Sequence, residues 1–359
     1  MIVLKSFNKI ALFNFINSKE FNNLSFLPIS YHRAISHINN PHVNDEDTIL
    51  ILAYYENKLA GYIGVLADDM RVCDKLIKIG WLSTLFVHPD YRGKKIAQML
   101  LKEACNSYKG NIIITEYTEE AKNMYERSSL FVIQKSLYGS SYHFLFNLSE
   151  ILPKKNRNWN YIYPVLKLTD KIINGFLYSI RRNKSSEKQF VITENLDSEI
   201  KEYIKRYDKL QIFNRNVEDI NWITNYPWIL NSTENKESNY LFSDFDKSFR
   251  YIFIKIYDVN SLDTVLMLTV RNEKATLQFI YGNKNSSKIT EALTVFLSKF
   301  KITNIIIYDN EINQKLNKKY FIYVKERNRS FMIHKNLSAI LPNDFLFDVL
   351  AGDGDPIFT

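Results

Sequence analysis

The stretch Trp81-Leu-Ser-Thr-Leu-Phe-Val-His-Pro-Asp-Tyr-Arg-Gly-Lys-Lys-Ile-Ala-Gln-Met-Leu-Leu101 decides the fold, because its periodicity changes within a few residues. Apolar and β-branched residues as far as Val87 are typical of a buried strand, and Pro89 favours a turn. Beyond the turn, apolar residues recur at the spacing of one helix face: Ile96, Leu100, Leu101, Ala104 and Cys105. The sequence therefore predicts a strand, a turn containing Gly93 and an amphipathic helix.

This turn has the features of an anion site. The first turn of a helix has N–H groups without intrahelical partners and carries the positive end of the helix dipole. Gly93 leaves room for a phosphate against the backbone, and Arg92, Lys94 and Lys95 add positive charge. These residues predict the binding of a diphosphate, although a basic surface turn would give the same pattern.

The run from Val87 to Ala97 resembles the acetyl-CoA binding motif of the GNAT superfamily, in which an Arg or Gln opens a glycine-bearing turn around the CoA pyrophosphate. The matching positions are Arg92, Gly93, Ile96 and Ala97. Lys95 stands where the family usually has a second glycine. A lysine with a helical backbone would still offer its N–H, so we expect cofactor binding to be kept.

A second segment, residues 119–131, is similar to the helix of the same superfamily that carries an alanine and, four residues later, a tyrosine. Ala121 and Tyr125 match these two positions. Thr118 replaces a frequent asparagine, and Ser129 with Leu130 replaces Gly-Phe. The two segments together extend the resemblance over residues 1 to about 150.

The resemblance implies an acetyl-CoA-dependent N-acetyltransferase in which a primary amine attacks the thioester directly within a ternary complex. It implies that backbone N–H groups from Leu85 to Val87 stabilise the oxyanion. It also implies that Tyr125 protonates the CoA thiolate, although an aromatic residue on this helix would equally pack in a core. The residues expected to bind the cofactor are Leu85, Phe86, Val87, Arg92, Gly93, Lys94, Lys95, Ile96, Ala97 and Thr118.

The general base is left open by the sequence. Glu116 follows a predicted strand near the expected cleft, and His88 has a suitable ordinary pKa. Either side chain could instead be structural, and water could relay the proton. The histidines and the two cysteines, Cys73 and Cys105, lack metal-ligand spacing, so we expect no metal.

A chain of 359 residues predicts two domains. We expect a GNAT domain over residues 1–150, a polar, basic linker over 151–189 and a degenerate GNAT-like copy over 190–359, because the last part repeats the order of the first. Residues 281–291 take the place of the phosphate turn there but lack the Arg-Gly pair. The predicted fold class is α/β (α+β), with tandem folds that are each a mixed, mostly antiparallel sheet flanked by helices.

The formal net charge of +8 favours an anionic partner. A CoA thioester meets this expectation, and no nucleic-acid partner is expected because no aromatic-interleaved basic stripe is present. Apolar runs reach only strand length, which predicts no membrane span, and two cysteines without a disulfide framework favour the cytoplasm. The oligomeric state is undetermined.

Two other functions fit the sequence less well. An aminoacyl transferase of the FemABX type also pairs two GNAT-like domains, but the CoA motif argues against it. A non-catalytic binding protein built on two GNAT folds is the other alternative. The acceptor stays open among amino sugars, nucleotide-linked sugars, polyamines and protein amines, with a small molecule such as an amino sugar preferred. The final residues, AGDGDPIFT, are interpreted as a structural tail or the edge of a substrate pocket.

Overall fold

The computed structural model describes residues 1–115, 117–181, 189–207, 211–213, 215–232, 239–259, 261–284 and 287–359. The chain forms two compact units, each assembled from separate parts of the sequence. The first unit comprises Met1–Leu137, Asp208–Lys247 and Arg329–Thr359, and the second comprises Tyr138–Tyr207 and Ser248–Asn328.

The secondary structure alternates between helices and strands along the whole chain. The elements as far as residue 143 are β1 (Ile2–Phe7), α1 (Lys9–Ile16), α2 (Lys19–Asn22), α3 (Tyr31–Ile38), β2 (Leu50–Tyr55), β3 (Lys58–Val72), β4 (Lys75–Val87), α4 (Ile96–Ser107), β5 (Ile112–Ile114), α5 (Glu119–Ser128) and β6 (Phe131–His143). The remaining elements are α6 (Leu148–Lys155), α7 (Tyr163–Arg181), β7 (Phe190–Thr193), α8 (Ser198–Arg206), α9 (Val217–Asn225), β8 (Leu230–Asn231), β9 (Phe245–Asp246), β10 (Phe249–Asp258), β11 (Ser261–Arg271), β12 (Lys274–Gly282), α10 (Ser287–Lys299), β13 (Asn304–Ile307), α11 (Asn310–Lys315), β14 (Tyr323–His334) and α12 (Lys335–Ile340).

In the first unit, β1, β2, β3 and β4 pair in antiparallel fashion, and β5 lies parallel to β4 on the far side. Helix α4 makes the crossover from β4 to β5 that a parallel pair requires. Its apolar face is buried in the core of this unit through Ile96, Leu100, Leu101 and Ala104, as the helical spacing predicts. The end of β14 then pairs antiparallel with β5.

The second unit has the same order of pairing. Strands β7, β10, β11 and β12 are antiparallel neighbours, and β13 lies parallel to β12 after the crossover helix α10. The buried face of α10 includes Ile289, Leu293, Phe296 and Leu297. Each unit is thus a mixed, mostly antiparallel sheet with helices, which confirms the predicted fold class. This order agrees with a duplicated fold, and the degenerate copy itself stays a prediction.

The observed units do not follow the predicted boundaries of 1–150, 151–189 and 190–359. Residues 208–247 and 329–359 belong to the first unit, because their large side chains are anchored there. The indole N–H groups of Trp222 and Trp228 donate to the carbonyl and the hydroxyl of Ser36 at 2.8 and 3.0 Å. The predicted linker is largely helical, since it contains α7 and the end of α6.

Strand β6 runs without interruption from Phe131 to His143. Its last residues pair with β13, from Ser140 opposite Ile307 to His143 opposite Asn304. These backbone bonds keep Ser140 and Ser141 extended. Within the described residues, no helix is long and apolar enough to cross a membrane.

Candidate functional site

Strand β4 contains a bulge near the point where its neighbour β5 ends. Its register with β3 shifts between the pairs Gly64–Ser83 and Tyr62–Phe86, which accommodates one extra residue on β4. Thr84, inside this interval, has a φ of 50°. A positive φ is unusual for a β-branched residue, and strained backbone of this kind is concentrated at functional sites. The bulge changes the direction of the strand that was predicted to hold the oxyanion.

In the described part of the chain, no strand pairs with the β5-facing edge of β4 beyond the bulge. Strand β5 pairs with β4 at Gly80 and Trp81. It is the shorter of the two strands, and β4 continues beyond it to Val87. The N–H of His88 donates to the carbonyl of Ala60 in β3 at 2.9 Å. Because successive residues of a strand direct their N–H groups to opposite edges, the N–H of Val87 is directed to the open edge. The side chains of 85–87 are half-buried against the core of the unit.

The N-terminus of α4 fits the predicted anion site. The first i→i−4 bond of the helix joins the N–H of Met99 to the carbonyl of Lys95 at 3.1 Å, so the N–H groups of the preceding turn lack intrahelical partners. Gly93 has a φ of 80°, and a Cβ built on it would point into open space. Arg92 and Lys94 are exposed beside it. This donor set suits the oxygens of a diphosphate.

Lys95 has a left-handed backbone conformation, with φ 62° and ψ 19° at the N-cap of α4. A helical backbone was expected at Lys95, and the observed conformation is instead the one that glycine adopts without steric penalty. A lysine side chain has no hydrogen-bond acceptor, so it cannot cap the helix itself. The position therefore carries backbone strain in exchange for another positive charge at the turn.

Helix α5 begins close to this turn. The hydroxyl of Thr118 caps the helix by accepting from the N–H of Ala121 at 3.3 Å. The carboxylate of Glu120 accepts hydrogen bonds from its own backbone N–H and from the hydroxyl of Thr118, and both bonds lower its pKa. The positive charge of Arg92 lowers this pKa further. The two motifs quoted from the sequence thus lie close enough for their charges to interact. Thr118, expected at the cofactor, has a structural role as a helix cap.

Tyr125 is buried on the inner face of α5, with 4% of its surface exposed. Its ring makes edge contacts with Tyr117 and Phe131, at centroid distances of 6.1 and 5.6 Å. Burial raises the pKa of the Tyr125 phenol, and the negative charge of Asp355 raises it further. The phenol therefore holds its proton at neutral pH, which is the state that a general acid needs.

Asp355 lies between β4 and the residue that follows β5. Its Oδ2 accepts from the hydroxyl of Ser83 at 3.1 Å, and its Oδ1 accepts from the hydroxyl of Thr115 at 2.8 Å. Ser83 precedes the bulge, and Thr115 directly follows β5. The carboxylate thus spans the two strands at the place where they stop pairing. No chemical role was predicted for Asp355 from the sequence.

Arg33 supports the same region from α3. It is 5% exposed, and its Nη2 donates to the hydroxyl of Ser83 at 2.6 Å, while its Nη1 donates to the hydroxyl of Tyr240 at 3.1 Å. Its guanidinium carbon lies 3.7 Å from the ring centroid of Trp228. Arg33 is therefore fixed by packing as well as by hydrogen bonds.

A buried network of charges lies behind the segment that carries Asp355. Arg215 donates to Asp68 from Nη1 and Nη2 at 3.1 and 2.6 Å, and from Nε to Asp353 at 3.0 Å. His42 contacts Asp219 at 2.6 Å and Asp69 at 2.9 Å. Burial alone would lower the pKa of His42, but these two carboxylates and Asp68 raise it to about 10.

Of the two candidates for the general base, only His88 lies within the described residues. Glu116 lies outside the described residues. His88 is half-buried against Phe26, with a distance of 5.5 Å between ring centroids, and its Nδ1 accepts from the N–H of Asp90 at 3.4 Å. His88 therefore stabilises the turn before α4. Among the described residues, no group of three or more His, Cys, Asp and Glu side chains could hold a metal ion.

Residues 46–128 match the family described as the acetyltransferase (GNAT) domain. This range contains β2 to β5, the turn before α4 and almost all of α5. This match confirms, over residues 46–128, the resemblance drawn from the sequence. The family comprises acyltransferases that take the acyl group from a CoA thioester.

Solved structures show the same fold over most of the chain. A GCN5-related N-acetyltransferase from Anabaena variabilis ATCC 29413 has 11% sequence identity and a TM-score of 0.50, with 92% of this chain and 72% of that chain covered. A conserved protein of unknown function from Enterococcus faecalis V583, described as a probable N-acyltransferase, has 8% identity and a TM-score of 0.50, with 93% of this chain and 72% of that chain covered. No curated protein matches the sequence.

Proposed function

We propose that the protein is an acetyl-CoA-dependent N-acetyltransferase that acetylates a primary amine of a small molecule, such as an amino sugar. The observation that carries the proposal is the opening between β4 and β5, where a strained bulge, the N-terminus of α4 and the buried Tyr125 belong to one unit. These are the three parts that acyl transfer from a CoA thioester requires: an oxyanion site, a phosphate site and an acid.

The CoA pyrophosphate would bind at the turn from Arg92 to Ala97. The free N–H groups of the first turn of α4 would donate to its oxygens, and Gly93 would allow the phosphates to approach the backbone. Arg92 and Lys94 would neutralise charge from the exposed side. Ile96, which is 1% exposed, holds the start of the helix against the core and so fixes the direction of these donors.

The chemistry would occur at the open edge of β4. The amine nitrogen attacks the thioester carbonyl carbon, and the N–H of Val87, which is directed to this edge, donates to the oxyanion. As the C–S bond breaks, the phenol of Tyr125 gives its proton to the departing sulfur. Direct attack in a ternary complex suits this site, because the acid and the oxyanion donor serve one transition state without a covalent intermediate on the protein.

The first experiment measures acetyl-CoA binding by calorimetry on the intact protein and on an Arg92→Ala, Lys94→Ala variant. We expect the variant to bind at least about tenfold more weakly, a change of about 1.4 kcal/mol or more. A Lys19→Ala, Lys75→Ala variant removes the same charge from two exposed sites outside the turn and should bind like the wild type.

A screen of primary amines, read by the release of free CoA thiol, follows the binding measurement. Acetylation of an amino sugar or another small amine would support the proposal. Intact protein that does not bind acetyl-CoA would contradict it and favour a non-catalytic protein built on the same fold. Equal loss in both double variants would show that the charge, and not the turn, determines binding.

A further inference from the structure

The segment 347–358 is buried although it is rich in turn-forming residues. Phe347, Val349, Ile357 and Phe358 are each at most 4% exposed. The ring of Phe358 stacks on Trp228 with 4.5 Å between centroids. Burial of this extent fixes the polar residues that lie between these apolar anchors. The segment is thus part of the core of the first unit rather than a surface tail.

Asp353 and Gly354 determine where this segment lies. Asp353 is 1% exposed and accepts from Arg215, and its second oxygen accepts from the N–H of Leu350 at 2.7 Å. Gly354 has a φ of 81°, and a Cβ on it would lie 3.0 Å from the ring of Trp81. The backbone therefore approaches Trp81 closely, and the next residue, Asp355, is brought to the opening between β4 and β5.

The hydrogen bonds around Ser83 fix the direction of its proton. The guanidinium of Arg33 can only donate, so the Ser83 oxygen accepts from it and the single hydroxyl proton is left for Asp355. Thr115 donates its hydroxyl proton to the other carboxylate oxygen. Two neutral donors of this kind orient a carboxylate without neutralising its charge.

Each carboxylate oxygen of Asp355 can accept more than one hydrogen bond. Among the described residues, Oδ2 accepts from Ser83 of β4 and Oδ1 accepts from Thr115 after β5. The remaining capacity suits a cationic group with several N–H donors, such as a primary ammonium. The negative charge of Asp355 also raises the pKa of the Tyr125 phenol, which is proposed to serve the sulfur.

We propose that Asp355 binds the ammonium group of the acceptor and takes one proton from it, a role that rests on the acyl transfer proposed above. The ammonium loses this proton to the carboxylate, and the resulting amine nitrogen forms the bond to the thioester carbon. The C–S bond then breaks as Tyr125 protonates the sulfur. The nitrogen returns its second proton to the tyrosinate, and Asp355 releases its own to water, so the products are the amide, free CoA thiol and one proton.

This assignment names the substrate class more closely. Acceptors that carry a positive charge at neutral pH would be preferred over alcohols and other neutral nucleophiles of the same shape. Arg215 is a positioning residue in this arrangement, because it holds Asp353 two residues away and does not itself reach the reacting atoms. The base thus comes from a part of the chain more than two hundred residues from the strand it serves.

The test compares Asp355→Asn, Asp355→Glu and Asp348→Asn with the wild type. Asp348 is an exposed aspartate in the same segment, so its variant is the matched control. For each protein we would measure the Kd for acetyl-CoA by calorimetry and kcat/KM for the amine found in the screen, between about pH 6 and 10.

We expect Asp355→Asn to lower kcat/KM at neutral pH by at least about 100-fold, with the Kd for acetyl-CoA unchanged. The loss in kcat/KM should become smaller as the pH approaches the pKa of the amine, because a larger fraction of the acceptor is then already deprotonated in solution. Asp355→Glu should recover part of the activity, and Asp348→Asn should stay within about twofold of the wild type.

A purely structural role for Asp355 would give a loss of the same size at every pH, and this result would overturn the proposal. An Asp355→Asn variant as active as the wild type, or more active, would also overturn it while leaving the acetyltransferase function intact. Failure of the wild type to bind acetyl-CoA is a separate result that contradicts the proposed function itself. If Asp355→Asn does not fold, the activity of Asp355→Glu is the deciding measurement. If a folded Asp355→Glu variant has no activity above background, the role proposed for the carboxylate charge is overturned.

Discussion

The Nε of Arg215 donates to Oδ1 of Asp353 at 3.0 Å, inside the first unit, where both side chains are almost fully buried. The same guanidinium also forms two hydrogen bonds to Asp68 in β3. Arg215 therefore ties the segment that carries Asp355 to β3, in addition to the hydrogen bonds that Asp355 accepts from Ser83 and Thr115. Because the positive charge of Arg215 offsets two buried carboxylates, the arrangement depends on this residue more than on either aspartate.

Replacing Arg215 by methionine should lower the free energy of unfolding by about 3–5 kcal/mol, because two buried carboxylates would lose their partner. Urea denaturation measures the change. Arg127→Ala, at an exposed site in the last turn of α5, is the matched control and should change stability by at most about 0.5 kcal/mol. A loss below about 1 kcal/mol in Arg215→Met would contradict the network described here.

Lys95→Gly should stabilise the protein by about 1 kcal/mol, because glycine relieves the left-handed backbone at the N-cap of α4. Lys95→Ala is the control, since it removes the same charge and keeps the strained φ. Thermal unfolding of the two variants measures the difference. Equal stabilities would show that the charge, and not the backbone conformation, is what matters at this position.

The strand–turn–helix around Gly93 could be predicted from the sequence because its signals are local. A strand, a proline turn and a helical stripe follow one another within about twenty residues, and each reflects short-range sterics or burial. Tyr125 was identified only through the resemblance of residues 119–131 to the GNAT helix in which a tyrosine follows an alanine by four residues. The left-handed backbone of Lys95 could not be predicted, because lysine has no intrinsic preference for a positive φ.

Asp355 could not be identified from sequence because its role depends on residues far along the chain. Its partners, Ser83 and Thr115, are 272 and 240 residues away. The only local signal is an acidic residue followed at once by Pro356, Ile357 and Phe358, which is an unusual place for a solvated charge. Residues 208–247 were assigned to the second domain for the same reason, since Arg215, Trp222 and Trp228 find their partners in the first unit.

The stability of the protein should fall as the pH rises from 6.5 to about 10, through the window set by His42. In the folded state burial lowers the pKa of His42, but hydrogen bonds and charges from Asp219, Asp69 and Asp68 raise it to about 10. The unfolded chain releases this proton near 6.5, so the folded state binds the extra proton throughout the window. Its contribution is therefore complete below pH 6.5 and is lost as the pH passes through about 10.

His42→Gln tests this pH dependence by urea denaturation at several pH values. We expect the difference in stability between wild type and variant to be largest at and below pH 6.5 and to shrink towards pH 10. Other groups that titrate in this range affect both proteins alike and cancel in the difference. A difference that does not change with pH would mean that His42 is not protonated in the folded state.

Tyr125→Phe should lower kcat by about 100-fold and leave the Kd for acetyl-CoA unchanged, because only the proton donor to the sulfur is removed. Burial and the charge of Asp355 raise the pKa of the phenol, so the wild type keeps the acid protonated well above neutral pH. The fold loss in the variant should accordingly stay constant from about pH 6 to 9. Tyr117→Phe, whose ring lies 6.1 Å from that of Tyr125, is the matched control and should keep its activity. A loss of less than about threefold in Tyr125→Phe, or an equal loss in the control, would assign Tyr125 to packing, because removing a general acid costs far more than this.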